Sequence, residues 1–224
     1  MARRELIIAI DGPSGAGKGT VARTVAARLS YRHVDTGAMY RAVAWKACHE
    51  GVDLDDGEAI ALVARSARFE LGRTTVIDGH DVTDAIRTPA IDQAAAIVAR
   101  HPAVRAALVD RQRQLGADGR IVMEGRDIGS VVFPEAEVKV YLDASPEERA
   151  RRRAGDTAHS AGRTAAAMGD IAQQLDARDR SDRTRAVSPL TQARDAVYLD
   201  TTGVSIDEVV KPVMARDAQR QVRN

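Results

Sequence analysis

Residues 12–20 read Gly-Pro-Ser-Gly-Ala-Gly-Lys-Gly-Thr and follow directly on the apolar run Leu6-Ile7-Ile8-Ala9-Ile10. A short, isoleucine-rich apolar run of this kind reads as a buried strand. Val21 to Leu29 then carries apolar residues at helical spacing. The segment is therefore a strand, a glycine-rich turn and a helix. Gly12, Gly15, Gly17 and Gly19 lie close together, which removes side chains and admits positive φ, so that a ligand can approach the backbone. Successive N–H groups of such a turn form a nest for anionic oxygens. Lys18 adds a point charge and the following helix adds the positive end of its dipole. The pattern G-x-x-x-x-G-K is that of a P-loop phosphate cradle, with Gly12, Pro13, Ser14, Gly15, Ala16, Gly17, Lys18, Gly19 and Thr20 as its residues. A flexible surface loop is the plain alternative, and the strand, helix and lysine in register weigh against it. Gly19 stands where the general motif has Ser or Thr, which displaces the magnesium-binding hydroxyl to Thr20.

The rest of the chain alternates strand and helix. Strand-like runs occur at Leu6–Ile10, Arg120–Met123, Val138–Leu142 and Val197–Leu199, with a shorter one at His33-Val34. This spacing predicts an α/β fold: a three-layer sandwich of the P-loop kind around a parallel sheet of five strands. Ligands on such sheets sit outside the carboxyl ends of the strands, which singles out residues 11–20, 35–41, 124–129, 143–153 and 200–203. Arg68–Leu71 and Thr75–His80 interrupt the alternation and read as a small hairpin in an inserted subdomain spanning residues 38–100. Residues 155–168 are rich in small and polar residues and read as a mobile lid. The core then comprises 1–37, 101–154 and 169–224. A rigid phosphate site with an insertion and a lid suits group transfer, where closure must exclude water.

A chain of 224 residues is long enough for one substantial core. The formal net charge of +1 gives no global field toward nucleic acid or a membrane surface. Aromatics make up 3% of the chain, too few for base-stacking platforms on single-stranded nucleic acid. The apolar stretch near the N-terminus is too short for a signal peptide or a membrane span. Cys48 is the single cysteine, so no internal disulfide or cysteine metal site is expected, in keeping with a reducing, cytoplasmic setting. Balanced charge and single-core length make a monomer the expectation. Four of the 33 basic residues are lysines; genome composition accounts for most of the arginine excess, but not for where particular arginines sit.

Three arginine-bearing segments follow predicted strands or lie on a predicted helix. Asp35-Thr36-Gly37-Ala38-Met39-Tyr40-Arg41 reads as a helix start with Thr36 as N-cap. Glu124-Gly125-Arg126-Asp127-Ile128-Gly129 places an arginine and a carboxylate between glycines at a strand end. On a helix, Arg178, Asp182 and Arg185 share one face. Each piece alone has an ordinary reading: a capped helix, a turn with a local ion pair, a solvated helix stitched by i,i+4 pairs. Together with the glycine loop they point to a second anionic ligand facing the first, because guanidinium groups bind phosphate bidentately and stay charged. Further on, Arg149, Arg152 and Arg153 share a helical face; they either balance a helix end or close on a transferring group.

These segments, in this order and spacing along almost the whole chain, resemble the bacterial cytidylate kinases, members of the nucleoside monophosphate kinase family. The Gly-Lys-Gly-Thr form of the loop is similar to that family rather than to GTPases, and the hairpin insertion resembles its enlarged monophosphate-binding subdomain. The resemblance implies ATP plus CMP or dCMP giving ADP plus CDP or dCDP. It implies Mg²⁺ reaching the protein through the ATP phosphates and water, with Thr20 and Glu124 as candidate contacts. It implies Lys18, Arg126, Arg152 and Arg153 as the residues of phosphoryl transfer. Carried over by position, Arg41 and Arg126 are expected at the CMP phosphate, Arg178 and Asp182 at the ribose, and Arg105, Asp127 and Arg185 at the base, with Thr36 and Tyr40 completing the acceptor site. Three positions depart from the family pattern: Glu124 stands for Asp, Thr36 for Ser, and Ala96 for a base-contacting serine of some relatives. Another small-molecule P-loop kinase (UMP/CMP-, adenylate- or shikimate-type) and a nucleotide-binding regulator without turnover are the alternatives.

Overall fold

The computed structural model describes residues 6–155 and 168–222. The strands in chain order are β1 (Ile7–Asp11), β2 (Arg32–Asp35), β3 (Phe69–Leu71), β4 (Thr75–Ile77), β5 (His80–Asp81), β6 (Ile121–Gly125), β7 (Val138–Asp143) and β8 (Val197–Asp200). The helices are α1 (Lys18–Leu29), α2 (Thr36–His49), α3 (Gly57–Ser66), α4 (Pro89–Val98), α5 (Pro102–Leu115), α6 (Pro146–Ala154), α7 (Met168–Thr184) and α8 (Ile206–Val222). Five strands form one sheet in the order β2-β6-β1-β7-β8, and every pairing in it is parallel. The predicted five-stranded parallel sheet is the one observed.

Period-two alternation in β1 explains the layers. Ile8 and Ile10 point to one face, where they join Val122, Val140 and Leu142 against Val21 and Val25 of α1 and Val210 and Val213 of α8. Ala9 points to the other face, where it joins Val34, Ile121 and Met123 against Met39 and Val43 of α2 and Leu108 of α5. Fully burying one such large aliphatic side chain contributes about 1.5–3 kcal/mol. Both faces of the central strands are thus covered, which is why they read as continuous apolar runs.

The smaller sheet has the order β3-β4-β5, with both pairings antiparallel. One strand more is present than the hairpin expected from sequence. The reason is local: Asp78 and Gly79 have φ of +49° and +82°, so the chain reverses inside the apolar run, as Asp-Gly pairs favour in tight hairpin turns. Asp78 then ties the small sheet to α2 through Lys46 and accepts the Arg68 N–H at 2.8 Å. Residues 156–167, most of the expected lid, lie outside the described residues.

Strand order runs outward on both sides of β1, between β6 and β7. A crevice forms at such a point, outside the carboxyl ends of the strands. Asp11, at the end of β1, fixes its floor. Its carboxylate accepts the Ile128 N–H at 2.8 Å and the Gly129 N–H at 2.7 Å, holding a single π-helical turn at Ile128–Val132 in place. Burial, partly opposed by those two N–H groups, pushes the Asp11 carboxyl up to about 6.

Candidate active site

The glycine loop joins β1 to α1. Gly12 has φ +144°, and a Cβ there would collide with the Leu142 carbonyl of β7. Gly15 has φ +81°, and its Cβ would lie 2.9 Å from the Arg149 carbonyl oxygen of α6. The loop is pressed between neighbours, and at positions 12 and 15 only glycine fits. Gly17 precedes α1 in the left-handed region and offers no side-chain cap, so no cap takes up the first-turn N–H groups of α1. Lys18 is buried and its ammonium donates to the Pro13 carbonyl at 2.7 Å. Burial, with the nearby Arg126 charge, lowers its pKa to about 7.

Opposite the loop, α2 begins after β2. Its N-cap is Asp35, whose side chain accepts the Ala38 N–H at 3.0 Å. This corrects the expectation of Thr36 as cap: Thr36 is the first helical residue, and its hydroxyl donates to the Glu124 carbonyl at 2.8 Å. Arg41 donates to Asp35 at 2.9 Å. Burial alone would raise the Asp35 carboxyl, but the Arg41 guanidinium and the Ala38 N–H hold it at about 2.

The end of β6 carries Glu124, whose Oε1 lies 3.1 Å from His33 Nε2. A Cβ on residue 19 would come within 3.0 Å of that same oxygen, which gives Gly19 a steric reason at the position where the general motif has a hydroxyl residue. Arg126 donates to Asp182 of α7 at 3.1 Å; burial opposes its charge, and the carboxylates of Asp182, Asp179 and Glu124 together more than offset this, leaving its pKa raised. Arg105 and Asp127 form a buried ion pair, and the Arg105 guanidinium lies 5.5 Å from the centre of the Tyr40 ring. Arg185 lies just past α7 and donates to Asp182 at 3.3 Å. Arg178 of α7 pairs with Asp92 at 3.5 Å. Burial, with repulsion from Arg126, lowers the Arg178 pKa.

Most of these side chains line one cleft of about 610 Å³, within the range of small-ligand sites; His33 and Asp92 lie outside its lining. It brings together residues 14–20 with Thr36, Tyr40, Arg41, Arg105, Arg126, Asp127, Arg178, Asp182 and Arg185, and with Glu124, Arg152 and Arg153. Gly12 and Pro13 do not line it. Among the described residues, four buried polar atoms here find no hydrogen-bond partner: the Tyr40 hydroxyl, Arg41 Nε, Arg105 Nε and Arg185 Nη2. Such atoms are costly unless a ligand or water meets them.

The three arginines expected on one face of α6 diverge. Arg149 turns to the loop and Asp179. Arg152 donates to the Thr201 hydroxyl at 2.8 Å and to its carbonyl at 2.6 Å. Arg153 pairs with Asp92 of α4. No sequence signal distinguishes Asp179 from its charged neighbours, and the one signal for Asp92 is a lone carboxylate in the alanine-rich run Ile91-Asp92-Gln93-Ala94-Ala95-Ala96. Nor does one mark Val204 and Ile206, apolar residues that line the cleft beyond the loop.

Residues 8–219 match the family model described as cytidylate kinase. The chain belongs to that family. The kinase is 47% identical over 213 residues to the cytidylate kinase of Solibacter usitatus, covering 95% of this chain and 92% of that one. It is 46% identical over 217 residues to the cytidylate kinase of Desulfitobacterium hafniense, with 95% and 93% covered. Among solved structures, a gluconokinase from Sinorhizobium meliloti superposes with a TM-score of 0.52 at 16% identity, covering 99% of this chain and 97% of that one; that likeness is one of fold.

Family membership makes the kinase an ATP-dependent nucleoside monophosphate kinase. Among the described residues, no group of three or more His, Cys, Asp or Glu side chains is placed to hold a metal ion. The Thr20 hydroxyl and the Glu124 carboxylate, both lining the cleft, are oxygen donors of the kind Mg²⁺ takes when substrate phosphates and water supply most of its shell. The donor set fits a metal carried largely by the nucleotide.

Proposed function

We propose that the kinase transfers the γ-phosphoryl of ATP to CMP or dCMP with residues 12–20 as the donor cradle and the arginine wall as the acceptor site. The observation that carries this reading is the cleft itself, where a glycine loop with a buried lysine faces Arg41, Arg126, Arg178 and Arg185 across one space. Two anionic substrates brought together there would meet opposite charge on both sides, which a single-substrate nucleotide binder does not need.

An oxygen of the CMP phosphate attacks the γ-phosphorus in line. The new P–O bond forms as the bond to the β-phosphate oxygen breaks, and ADP leaves. The protein does little covalent chemistry in such a transfer and acts by positioning and by stabilising charge. Loop N–H groups and Lys18 hold the β and γ phosphates, the ammonium exchanging the Pro13 carbonyl for phosphate oxygen. Thr20 and Glu124 would be the protein oxygens nearest a Mg²⁺ brought in with the ATP phosphates, and the ion would supply charge neutralisation there. Arg126 and Arg41 aim the acceptor phosphate, and Arg178 and Asp182 hold the ribose. Arg152 and Arg153 close on the transferring group; an arginine in that role is worth about 10³–10⁵ in rate.

At the base end, the Arg105–Asp127 pair suits cytosine. An ionised carboxylate only accepts hydrogen bonds, so Asp127 takes the exocyclic amine while Arg105 and Arg185 donate to the ring acceptors. Uracil presents a carbonyl where cytosine has the amine, and sites built on such pairing discriminate strongly. Ala95, Ala96 and Ala99 line the same cleft and add no hydroxyl, so selectivity rests on the ion pair. Residues 38–100 serve as the monophosphate-binding insertion and 155–168 as the lid. The reading includes action as a monomer in the cytosol, in line with balanced charge and a lone cysteine. Among the described residues no helix is long and apolar enough to cross a membrane.

A coupled assay of ATP with CMP, dCMP, UMP, AMP and shikimate tests the acceptor. Turnover is expected with CMP and dCMP well above the others. Equal or greater turnover with UMP or AMP would overturn the roles given to Arg105 and Asp127, and binding of ATP with no response to any acceptor would overturn the two-substrate reading.

A further inference from the structure

Asp179 is wholly buried, one residue beyond Arg178 on α7, and does not line the cleft. Its carboxylate accepts the backbone N–H of Ser14 at 3.0 Å and pairs with the Arg149 guanidinium of α6. The same Arg149 nitrogen donates to the Ser14 carbonyl at 3.1 Å. Both backbone polar groups of Ser14, inside the glycine loop, are thus clasped by an ion pair drawn from two helices. Gly15 packs against the backbone of Arg149 on the other side of the same contact.

Two consequences follow from this geometry. An N–H bonded to Asp179 is turned away from any phosphate, so the cradle is left to the amides further along the loop. And α7, which presents Arg178 and Asp182 to the cleft, is joined through the next residue to the loop opposite. We propose that Asp179 is a positioning residue for phosphoryl transfer: it fixes the Ser14 peptide to α7, so that the donor loop and the acceptor-binding face of α7 keep one register. The proposal rests on residues 12–20 being the ATP cradle.

Removing one member of a buried pair leaves an uncompensated charge and can destabilise the protein through that charge alone, whereas replacing both with apolar residues of similar volume is often tolerated. The test therefore compares Asp179→Ala, Asp179→Asn and the double variant Arg149→Met/Asp179→Leu with the parent enzyme. The readouts are steady-state kinetics in ATP and CMP and direct CMP binding by calorimetry. Asp179→Ala is expected to raise the KM for ATP by about tenfold or more, from the loss of a buried hydrogen bond to the loop, and to lower kcat, while the dissociation constant for CMP changes less than about threefold, because Asp179 itself does not line the cleft. Asp179→Asn keeps an acceptor for the Ser14 N–H and is expected to retain more of the ATP affinity. The double variant, which removes the charge penalty and not the positioning loss, is expected to keep the ATP defect. Parent-like ATP kinetics in the double variant would make the pair merely structural and overturn the proposal, as would equal losses for ATP and CMP. The cradle assignment fails separately, by near-normal activity in Lys18→Ala.

Discussion

Lys18 shows how a single position reports on the site. In the free protein its ammonium bonds the Pro13 carbonyl and its pKa sits at about 7. Polyphosphate beside it favours the charged form. Above pH 7 the free enzyme has largely lost this proton and the ATP complex has regained it, so binding takes up a proton. Calorimetry at pH 8 in buffers of different ionisation enthalpy is expected to show uptake approaching one proton per ATP, and at pH 6 close to none; buffer-independent heats at pH 8 would remove Lys18 from the phosphates. The sign for stability follows the same logic. The folded pKa lies below the unfolded one, so the unfolded chain holds more protons between pH 7 and 10.5 and Lys18 makes folding more favourable as pH rises through that window. Gly19, a departure from the general motif, has its reason in Glu124, which occupies the space a side chain there would need.

At the scale of elements, helix starts carry the site and their capping differs with their task. The N-terminus of α6 has a Ser145 cap, Pro146 in its first turn and acidic residues Glu147 and Glu148, all stabilising at that end of the dipole. The N-terminus of α1 has none of these, which leaves its dipole for an anion. The loop before it tolerates little change. Gly15→Ala would force a side chain into positive φ and against the α6 backbone, each strained feature of that kind costing about 1–3 kcal/mol. Gly51 also has positive φ, at +70°, with nothing within 4 Å of where its Cβ would lie. In thermal melts Gly15→Ala is expected to lower Tm by about 4 °C or more, from two such features at roughly 2–4 °C per kcal/mol for a chain of this size, with loss of ATP affinity. Gly51→Ala should cost less and leave kinetics unchanged. Equal kinetics in both variants would show that the loop tolerates a side chain.

At the scale of the molecule, the cleft draws on α1, α2, α4, α5, α6, α7 and α8 and on the ends of β2 and β6. Ion pairs cross it: Arg126 with Asp182, and Arg153 and Arg178 with Asp92. A nucleotide seated there bridges elements that the chain leaves separate, so binding adds to folding stability by mass action. CMP alone at 100 times its dissociation constant is expected to contribute about 2.7 kcal/mol, a rise in Tm of roughly 5–11 °C. The same measurement on Arg126→Ala should show most of that rise gone; an undiminished shift would place the CMP phosphate elsewhere.

The five parallel strands, the glycine loop and the arginine-bearing segments were legible because each rests on local physics. A buried strand must be apolar, a phosphate nest must lack side chains, and phosphate calls for guanidinium. Sequence periodicity put Arg178, Asp182 and Arg185 on one face, and all three line the cleft. The third strand of the small sheet was hidden inside an apolar run, where only the turn at Asp78-Gly79 marks it. Tertiary structure alone decided which arginines are partnered and by what. Arg149, Arg152 and Arg153 look alike on a helix, yet one clasps Ser14, one meets Thr201 and one meets Asp92. Their partners lie 135, 49 and 61 residues away in the chain. Charge pairing over such separations is set by packing of whole elements, which no local pattern encodes; composition and motif pointed to two anionic ligands, and the fold determined which side chains line the cleft and which hold the loop in place.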